Sequence, residues 1–244
     1  GARRAHDELK RSRAGKFFDF KDYPLTVPRP PEMTHCKLRL DIRAGKLRIK
    51  GEDLGSELIT GKVKRAPEEP VVLTELREGV SDVTLRHSLG RALLRLNRQV
   101  PYELVLDNSA ADSRLRLDDL AVREIEVSNS AGNVVLALGG QVPQVSVVIR
   151  NNAGNVRLRI PASHAVRITP TGSLSSSNLM KLGLEPVDGV ASSQDWASNP
   201  QRVDIVLDQN VASFYLDWKR SDGVAVGDDE KDFDDSDFDP EDDE

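Results

Sequence analysis

Asn129-Ser130-Ala131-Gly132-Asn133 is a short segment that recurs along the chain, almost unchanged at residues 151–155. Looser copies begin at His87 and Asn108, and a weaker one begins at Gln209. The first four copies begin at positions 87, 108, 129 and 151, so the interval between them is nearly constant. A regular period of this length is typical of stacked structural units, none of which can bury its apolar face alone.

Alternating apolar residues flank every copy. Ile125 and Val127 precede one corner and Leu136 and Leu138 follow it, with mostly polar residues between such pairs along the chain. This period of two predicts strands that bury one face. We therefore predict an all-β fold, a single-stranded β-solenoid (right-handed and β-helix-like) with coils of about 21–22 residues. The alternative is a β-sandwich of consecutive hairpins, with turns about 8–12 residues apart.

The recurring segment is predicted to form the corner of each coil. Asn and Gly tolerate positive φ, so the segment can bend the chain without a clash. Asparagines at equivalent corners could also stack as a ladder of hydrogen-bonded amides. His87 takes the corner position of Asn108, which favours the interpretation that shape, rather than amide chemistry, is required. The corner residues singled out are His87, Asn108, Asn129, Asn133, Asn151 and Asn155.

The repeat also predicts boundaries. Ala44-Gly45-Lys46 matches a corner, and its 45-residue offset from the His87 corner (87 − 42) leaves space for one more coil near Ile59 to Val72. The last corner lies 58 residues after the previous one (209 − 151), so about 36 residues (58 − 22) are inserted as a loop or as a cap over the core. The predicted parts are a basic arm and linker (1–30), the solenoid domain (31–220, with the insertion near 163–202) and an acidic disordered tail (221–244).

Charge is concentrated at the two ends. Asp228 to Glu244 holds 12 acids and one lysine, so the part of the chain before Asp228 carries +5 (−6 + 11). Gly1 to Lys16 holds six Lys or Arg against two acids. Such an arm is typical of a segment beside a membrane anchor that contacts anionic lipid, although a solvated leader explains it equally. The acidic segment is predicted to be a solubilising or autoinhibitory tail, or a docking motif for a basic partner.

The sequence contains none of the common catalytic motifs. A Walker loop, a dinucleotide-binding glycine motif, a nucleophile elbow and a zinc-protease motif are all absent from it. His35 and Cys36 are adjacent, so on a strand they would point to opposite faces and could not form a nucleophile–base pair. Cys36 is expected to be a buried thiol, and His164 an exposed loop residue. We expect no enzyme activity, no cofactor and no metal site.

A polysaccharide hydrolase or lyase is the enzymatic alternative, because β-solenoids can carry such chemistry. It would need clustered carboxylates, or a cation with acids, on one exposed face. The nearest candidates lie on successive segments of one coil without predicted convergence: Asp118, Asp119, Glu124 and Glu126.

The outward side chains after each corner form the most ordered surface feature. Stacking by the repeat aligns Lys50, Arg95, Arg116 and Arg159 in one column, and Arg48, Arg114 and Arg157 in the next. One interpretation is a solvated face with cross-strand charge compensation. The other is a site for an anionic partner, such as a wall polymer, a lipid headgroup or an acidic protein segment. Nucleic acid is disfavoured, because interleaved aromatic side chains for base stacking are missing.

These repeats resemble the toast-rack β-solenoid family of bacterial envelope proteins, which includes C-terminal domains of cell-wall-active antibiotic response proteins and adhesin-like domains. The resemblance covers residues 37–218 and is carried by Arg123 to Val134, Val147 to Arg159 and Val203 to Trp218. It implies a non-catalytic module, usually tethered by a preceding membrane segment. Some relatives modulate envelope-stress sensing through a membrane histidine kinase. The acidic tail and the 36-residue insertion (58 − 22) depart from the family pattern.

We therefore expect an interaction or sensory module of the bacterial cell envelope, possessing no cofactor and binding a protein partner or an anionic envelope polymer. Attachment to the membrane would come through a segment that is not part of this sequence, since no apolar run of ~18 residues occurs in it. The runner-up is an adhesin or self-assembling scaffold that associates through exposed sheet edges.

Overall fold

The computed structural model describes residues 19–172 and 176–219, which contain fifteen strands and one short 3-10 helix (η1). No α-helix occurs in these two ranges. The elements are, in chain order, β1 Lys21–Pro28, β2 His35–Glu52, β3 Glu57–Ala66, β4 Val71–Arg77, β5 Val80–His87, β6 Arg91–Asn97, β7 Tyr102–Leu117, β8 Val122–Asn129, β9 Asn133–Leu138, β10 Gln144–Asn151, β11 Asn155–Pro161, β12 Ala165–Pro170, η1 Leu179–Leu182, β13 Ala191–Ser192, β14 Arg202–Gln209 and β15 Ser213–Lys219. The prediction of an all-β fold is confirmed.

The strands form because apolar residues alternate with polar ones. In β8, Ile125 and Val127 are buried, while Glu124 is exposed and Glu126 is half-buried on the opposite face. The same alternation in the neighbouring strands fills one continuous apolar core. Each strand therefore gains from burial only when another strand lies beside it, which is why the strands stack.

The strands on both sides of the corners pair in parallel. Before the corner, Leu104 of β7 lies opposite Ile125 of β8, and Ile125 lies opposite Val147 of β10. After the corner, β7, β9, β11 and β15 pair in the same way. Consecutive hairpins would pair antiparallel, so the sandwich alternative is wrong for this part of the chain.

The expected extra coil near Ile59 to Val72 does not form. Instead, β2 lies directly between β5 and β7 before the corner, and directly between β6 and β7 after it. The residues of the expected coil belong to β3 and β4, which pair antiparallel with β6 and β5. The two-residue loop Glu78-Gly79 joins β4 to β5 with both φ angles positive, 51° and 80°. This is the geometry of a tight type I′ hairpin, which reverses the chain.

The predicted arm and linker at residues 1–30 is also too long. β1 lies inside that range and pairs antiparallel with β3, so the sheet begins at Lys21. Leu25 and Val27 of β1 are buried in the core, which explains the pairing. The remaining part of the predicted basic arm, residues 1–18, lies outside the described residues, as does the whole predicted acidic tail, residues 221–244.

The insertion covers one end of the core. β12 pairs with the outer side of β14, so β14 lies between β10 and β12. Leu179 and Leu184, in and just after η1, are buried in the core cluster. Asn178 bonds to the backbone of Leu216 in β15 through both amide atoms, at 2.8 and 2.9 Å. The described part of the insertion therefore closes the edges of β14 and β15.

Candidate functional site

Seven cations lie in two adjacent rows across the strands that follow the corner. In the first row, Arg48 is paired in register with Arg114, and Arg157 is two strands beyond Arg114. In the second row, Lys50 is paired with Arg95. We call this set the basic face; its members are Arg48, Lys50, Arg95, Arg114, Arg116, Arg157 and Arg159.

Small apolar residues interrupt both rows. Val135 of β9 lies between Arg114 and Arg157, and Ala137 lies between Arg116 and Arg159. Tyr215 of β15 continues the first row, and the Arg157 guanidinium lies 5.7 Å from the centre of its ring. The basic face thus alternates cations with apolar contacts, instead of presenting charge alone.

Three acids form ion pairs on or beside the face. Asp112 forms ion pairs with Arg48 at 2.8 Å and with Arg114 at 3.4 Å. Glu52 lies 3.0 Å from Arg95, and Asp217 lies 3.5 Å from Arg157. Every one of the seven cations has an interaction partner. By sequence, the strands after the corner (residues 46–52, β6, residues 112–117, β9, β11 and β15) hold ten Lys or Arg and three acids, so they are rich in positive charge.

Two cations of the basic face are more buried than expected for side chains on the outward side of a strand. Arg48 is 6% exposed and Arg159 is 4% exposed. For Arg48 the cause is visible, because its Nη1 donates to the carbonyl oxygens of Leu47 and Asp112 at 3.0 and 2.9 Å. The guanidinium lies along the backbone, where it fixes two strands to one another. The expectation that these side chains form a solvated surface column is therefore wrong for Arg48 and Arg159.

The corners contain a ladder of buried amides. Asn108 Nδ2 donates to Asn129 Oδ1 at 2.8 Å, and Asn129 Nδ2 donates to Asn151 Oδ1 at 2.9 Å. Asn151 Nδ2 continues to the Ser213 carbonyl oxygen at 2.9 Å. Amide chemistry is therefore used at these three corners, so the interpretation that only shape is required there is wrong.

The ladder does not extend to His87. In the stack, Ile42 of β2 lies between His87 and Asn108, so no amide reaches the histidine along this row. His87 is buried, and burial lowers the pKa of its imidazole despite opposing effects of a Gly90 backbone hydrogen bond and the Glu68 charge. On the outside of the corners, Asn155 Nδ2 donates to Asn133 Oδ1 at 2.9 Å in an exposed pair.

The corner glycines are required for a different reason than positive φ. Gly132 and Gly154 are not among the positive-φ residues. A Cβ on Gly132 would lie 2.3 Å from the Ala111 carbonyl oxygen, and one on Gly154 would lie 2.0 Å from the Gly132 carbonyl oxygen. Successive corners therefore approach so closely that a methyl group does not fit between them.

The sequence matches a known family model over residues 19–159, described as the N-terminal domain of toast_rack, DUF2154. The chain belongs to the toast-rack family. All seven cations of the basic face lie within the matched toast-rack residues. The family resemblance of the repeats is thus confirmed.

A solved structure shares the toast-rack chain's fold. It is the crystal structure of a protein described as a putative cell adhesion protein from Clostridium sporogenes ATCC 15579, and it superimposes with a TM-score of 0.72 at 19% identity. The match covers 82% of this chain and 100% of that chain. At such low identity the likeness shows the fold alone. A search of curated proteins gives no match.

The residues weighed for catalysis are dispersed in the toast-rack fold. Cys36 is fully buried, and burial with the charge of Asp82 raises the pKa of its thiol to about 12. His35 lies on the other face of β2, where its Nε2 is 3.7 Å from Glu103. His164 is 4% exposed, which corrects the expectation of an exposed loop residue, and burial lowers the pKa of its imidazole.

The four acids of the polysaccharide-enzyme alternative do not converge. Asp118 contacts Lys219, and Asp119 lies 3.5 Å from Arg98. Glu126 forms an ion pair with Arg150 on the strands before the corner. In the described ranges, no group of three or more His, Cys, Asp or Glu side chains could hold a metal ion.

Glu124 instead lines a cavity of about 630 Å³ together with Asp204. These two acids are separated in register by Ser146 of β10, and both oxygens of Asp204 accept hydrogen bonds from Arg167, at 3.0 and 2.5 Å. The cavity lies on the strands before the corner, whereas the basic face lies on the strands after it. A cleft of acids bordered by the arginine columns, which such an enzyme would need, is not formed by these residues.

Two features of the site were not found from the sequence. Asp112, which holds Arg48 and Arg114, stands at the corner position of Asn133, and an acid at that position was the available signal. Trp196 lies under the guanidinium groups of Arg167 and Arg202, at 4.6 and 5.6 Å. A lone Trp in a polar insertion was its signal.

In the part of the chain that the structure describes, no helix has the length and hydropathy that crossing a membrane requires.

Proposed function

We propose that this chain is a non-catalytic binding module of the bacterial cell envelope, and that its basic face holds an extended anionic partner. The observation that carries the proposal is the pair of cation rows, in which Arg95, Arg114 and Arg157 remain partly exposed. Membership of the toast-rack family supports a non-enzymatic role. The dispersal of the candidate catalytic acids supports it as well.

The row spacing favours a polymer over a compact ligand. Neighbouring strands lie about 4.8 Å apart, so cations recur along the stack at about 5 to 10 Å. A chain with regular negative charges, such as a phosphate or carboxylate polymer, can contact several of them at once. Each contact is weak at an exposed site, but several together give an affinity that depends strongly on salt.

We propose further that the fold is a single-stranded β-solenoid, right-handed and β-helix-like. Support comes from the register, in which Leu104 lies opposite Ile125 and Ile125 lies opposite Val147, so that paired positions differ by 21 and then by 22 (125 − 104, 147 − 125). The order of the coils in the stack differs from their order in the chain at one place. β5 and β6 follow β2 in the sequence, but in the stack they lie on its outer side. A crystal structure of the chain would test the handedness and the coil size.

We also propose that the module is tethered to a membrane by a segment outside this sequence, and that it modulates envelope-stress signalling. The basic run Gly1 to Lys16 and the toast-rack match support tethering. The test is the sequence that precedes Gly1 in the full gene product. An apolar run of ~20 residues there supports the tether. If the natural protein has its start Met in the place of Gly1, directly before Ala2, the tether is contradicted.

The binding proposal is tested with dye-labelled polyphosphate and, separately, dye-labelled poly-L-glutamate. The double variant Arg114→Gln/Arg157→Gln should weaken binding by at least about tenfold and lower the salt dependence, since two charge contacts are lost. The matched control is Arg86→Gln/Arg150→Gln, which removes the same charge from the strands before the corner. Equal affinities of the two variants for both polymers would contradict the proposal.

A second candidate function is self-assembly of an adhesin or scaffold through β4. This strand pairs only with β5 among the described strands, and Leu73 is 54% exposed on it. Val71 and Leu76 of the same strand are exposed too. An open, apolar edge strand is a template for pairing with another chain.

Sedimentation velocity over a wide concentration range tests this second candidate. Leu73→Lys should shift the distribution towards the monomer, because a charge on the edge opposes pairing. Val206→Lys is the control, since Val206 is also exposed but its strand β14 has partners on both sides. A native chain that is monomeric at every concentration would exclude assembly through β4.

A further inference from the structure

We propose that the acidic C-terminal segment, Asp228 to Glu244, docks on the basic face of the same chain. An external anion would then bind by displacing this segment, a consequence that rests on the function proposed above. We call residues 228–244 the acidic tail. The argument uses its charge, its aromatic residues and the place where the described chain ends.

Charge is the first step. The acidic tail holds 12 acids and one lysine, a net −11. By sequence, the strands that form the basic face hold ten Lys or Arg and three acids, an excess of positive charge. Since the tail is covalently attached, its effective concentration near the face is far above that of a free ligand. Attraction between two oppositely charged regions of the same chain therefore favours docking.

Apolar complementarity is the second step. The face presents Tyr215 beside Arg157, and Tyr215 is 36% exposed. In the tail, Phe233 and Phe238 are each flanked by an aspartate on both sides. A phenylalanine can thus contact the Tyr215 ring while its neighbouring carboxylates meet arginines. A purely solubilising tail has no need of aromatic residues.

Reach is the third step. β15 ends at Lys219, which shares the outward face with Asp217, two residues earlier. Its ammonium group contacts Asp118, so the chain leaves the sheet at the border of the basic face. Eight residues, 220–227, precede the tail and can span about 26 Å. The far end of the face, on β6, lies five strand spacings from β15, or about 24 Å, so the tail can reach all of the face.

A spin label on the intact chain tests this proposal. The label is attached at Ser236→Cys, and Cys36 does not compete for it because that thiol is fully buried. At low salt we expect the backbone amide signals of Val135 and Ala137 to broaden strongly. The amide of Val206, on the strands before the corner, should broaden weakly. High salt should remove the difference.

Two double variants provide the control. Arg114→Gln/Arg157→Gln should abolish the broadening at Val135, whereas Arg86→Gln/Arg150→Gln should leave it unchanged. Uniform weak broadening of the native chain overturns docking, as does broadening at Val135 that persists in the first variant. Broadening at Lys21 in place of Val135 would assign the tail to the basic N-terminal arm, and would overturn the proposal as well.

Displacement has its own test. A variant in which Asp232, Asp234, Asp237 and Asp239 are changed to Asn should bind labelled polyphosphate at least about tenfold more tightly, because a larger fraction of molecules has an open face. Unchanged affinity would overturn displacement. Lack of polymer binding by either chain would refute the proposed function alone, since the spin-label experiment involves no polymer.

Discussion

The side-chain amide of Asn129 donates one hydrogen bond to the Asn151 side chain, at 2.9 Å, and another to the Gly132 carbonyl oxygen, at 2.8 Å. One amide therefore closes its own corner and fixes the next one in register. Because Asn129 is 2% exposed, water does not compete for these bonds. The corner is consequently a source of specificity for parallel stacking, and its geometry leads to the first prediction.

Asn129→Ala should lower the free energy of unfolding by about 1–3 kcal/mol for each buried partner left unsatisfied. Asn108 Nδ2, Asn151 Oδ1 and the Gly132 carbonyl oxygen each lose a bond to Asn129. Asn108 Nδ2 keeps the Ala111 carbonyl oxygen and the Gly132 oxygen keeps the Asn155 amide, so the main loss is at Asn151 Oδ1. Urea unfolding measures the change. Asn155→Ala is the control, since its bond to Asn133 is exposed, and it should change the free energy by no more than about 0.5 kcal/mol. Equal losses would show that the buried ladder is not special.

Gly132→Ala should destabilise the protein by about 1–3 kcal/mol through overpacking. The new methyl group would lie 2.3 Å from both the Ala111 carbonyl oxygen and Asn108 Nδ2. Gly140→Ala is the matched control, because its Cβ would lie 3.7 Å from His164 Cε1, an ordinary contact distance. Thermal unfolding of both variants tests the comparison. A Gly132 variant as stable as the Gly140 variant would contradict the close approach of the corners.

The sequence revealed the strands and the corners because both depend on local patterns. Ile125 and Val127 alternate with polar residues, and the asparagine corners recur at a nearly constant interval. The place of β2 could not be found in this way, since an offset along the chain does not state which strands are neighbours in space. The tight loop Glu78-Gly79 was the missing signal, because it returns the chain and lets β5 pair beside β2.

The site was predicted less completely for a related reason. The alternation of side chains along a strand predicts that Arg48 and Arg114 lie in one row, and the register agrees. This alternation does not tell whether a long side chain extends into solvent or lies along the sheet. The position of Arg48 depends on the Asp112 carbonyl and carboxylate, 64 residues away in sequence. Long-range partners of this kind leave no periodic trace.

The buried histidines should make the protein less stable in weak acid. Burial holds the pKa of His87 and His164 below that of an unfolded histidine. The unfolded chain therefore binds protons first as the pH falls, so stability is complete above about pH 6.5 and decreases below it, towards the folded pKa. His87→Asn should reduce this loss, as seen in urea unfolding at several pH values.

The exposed Asn155 provides the control for that experiment. Asn155→Ala should keep the native pH dependence, since this variant leaves both buried imidazoles in place. A native protein with the same free energy of unfolding at pH values on both sides of about 6.5 would show that burial does not restrain these groups.

Cys36 should resist alkylation in the folded protein. Its thiol is fully buried with a pKa of about 12, so at pH 8 iodoacetamide should react roughly a thousandfold more slowly than with an unperturbed cysteine. Mass spectrometry of the chain in water and in denaturing urea measures the two rates. Rapid labelling in water would mean that β2 opens locally, which would conflict with its central place between β5, β6 and β7.

Asn178→Ala should open the edge of β15. The Asn178 side chain takes the place of a further strand, because its Nδ2 donates to the Leu216 carbonyl oxygen and its Oδ1 accepts from the Leu216 amide. Loss of a hydrogen bond worth about 1–1.5 kcal/mol should speed hydrogen exchange at the Leu216 amide by about tenfold. Asn210→Ala serves as control, since its side chain bonds to Asn152 at the exposed corner. If the Leu216 amide exchanges at the native rate in the Asn178 variant, other parts of the insertion protect this edge.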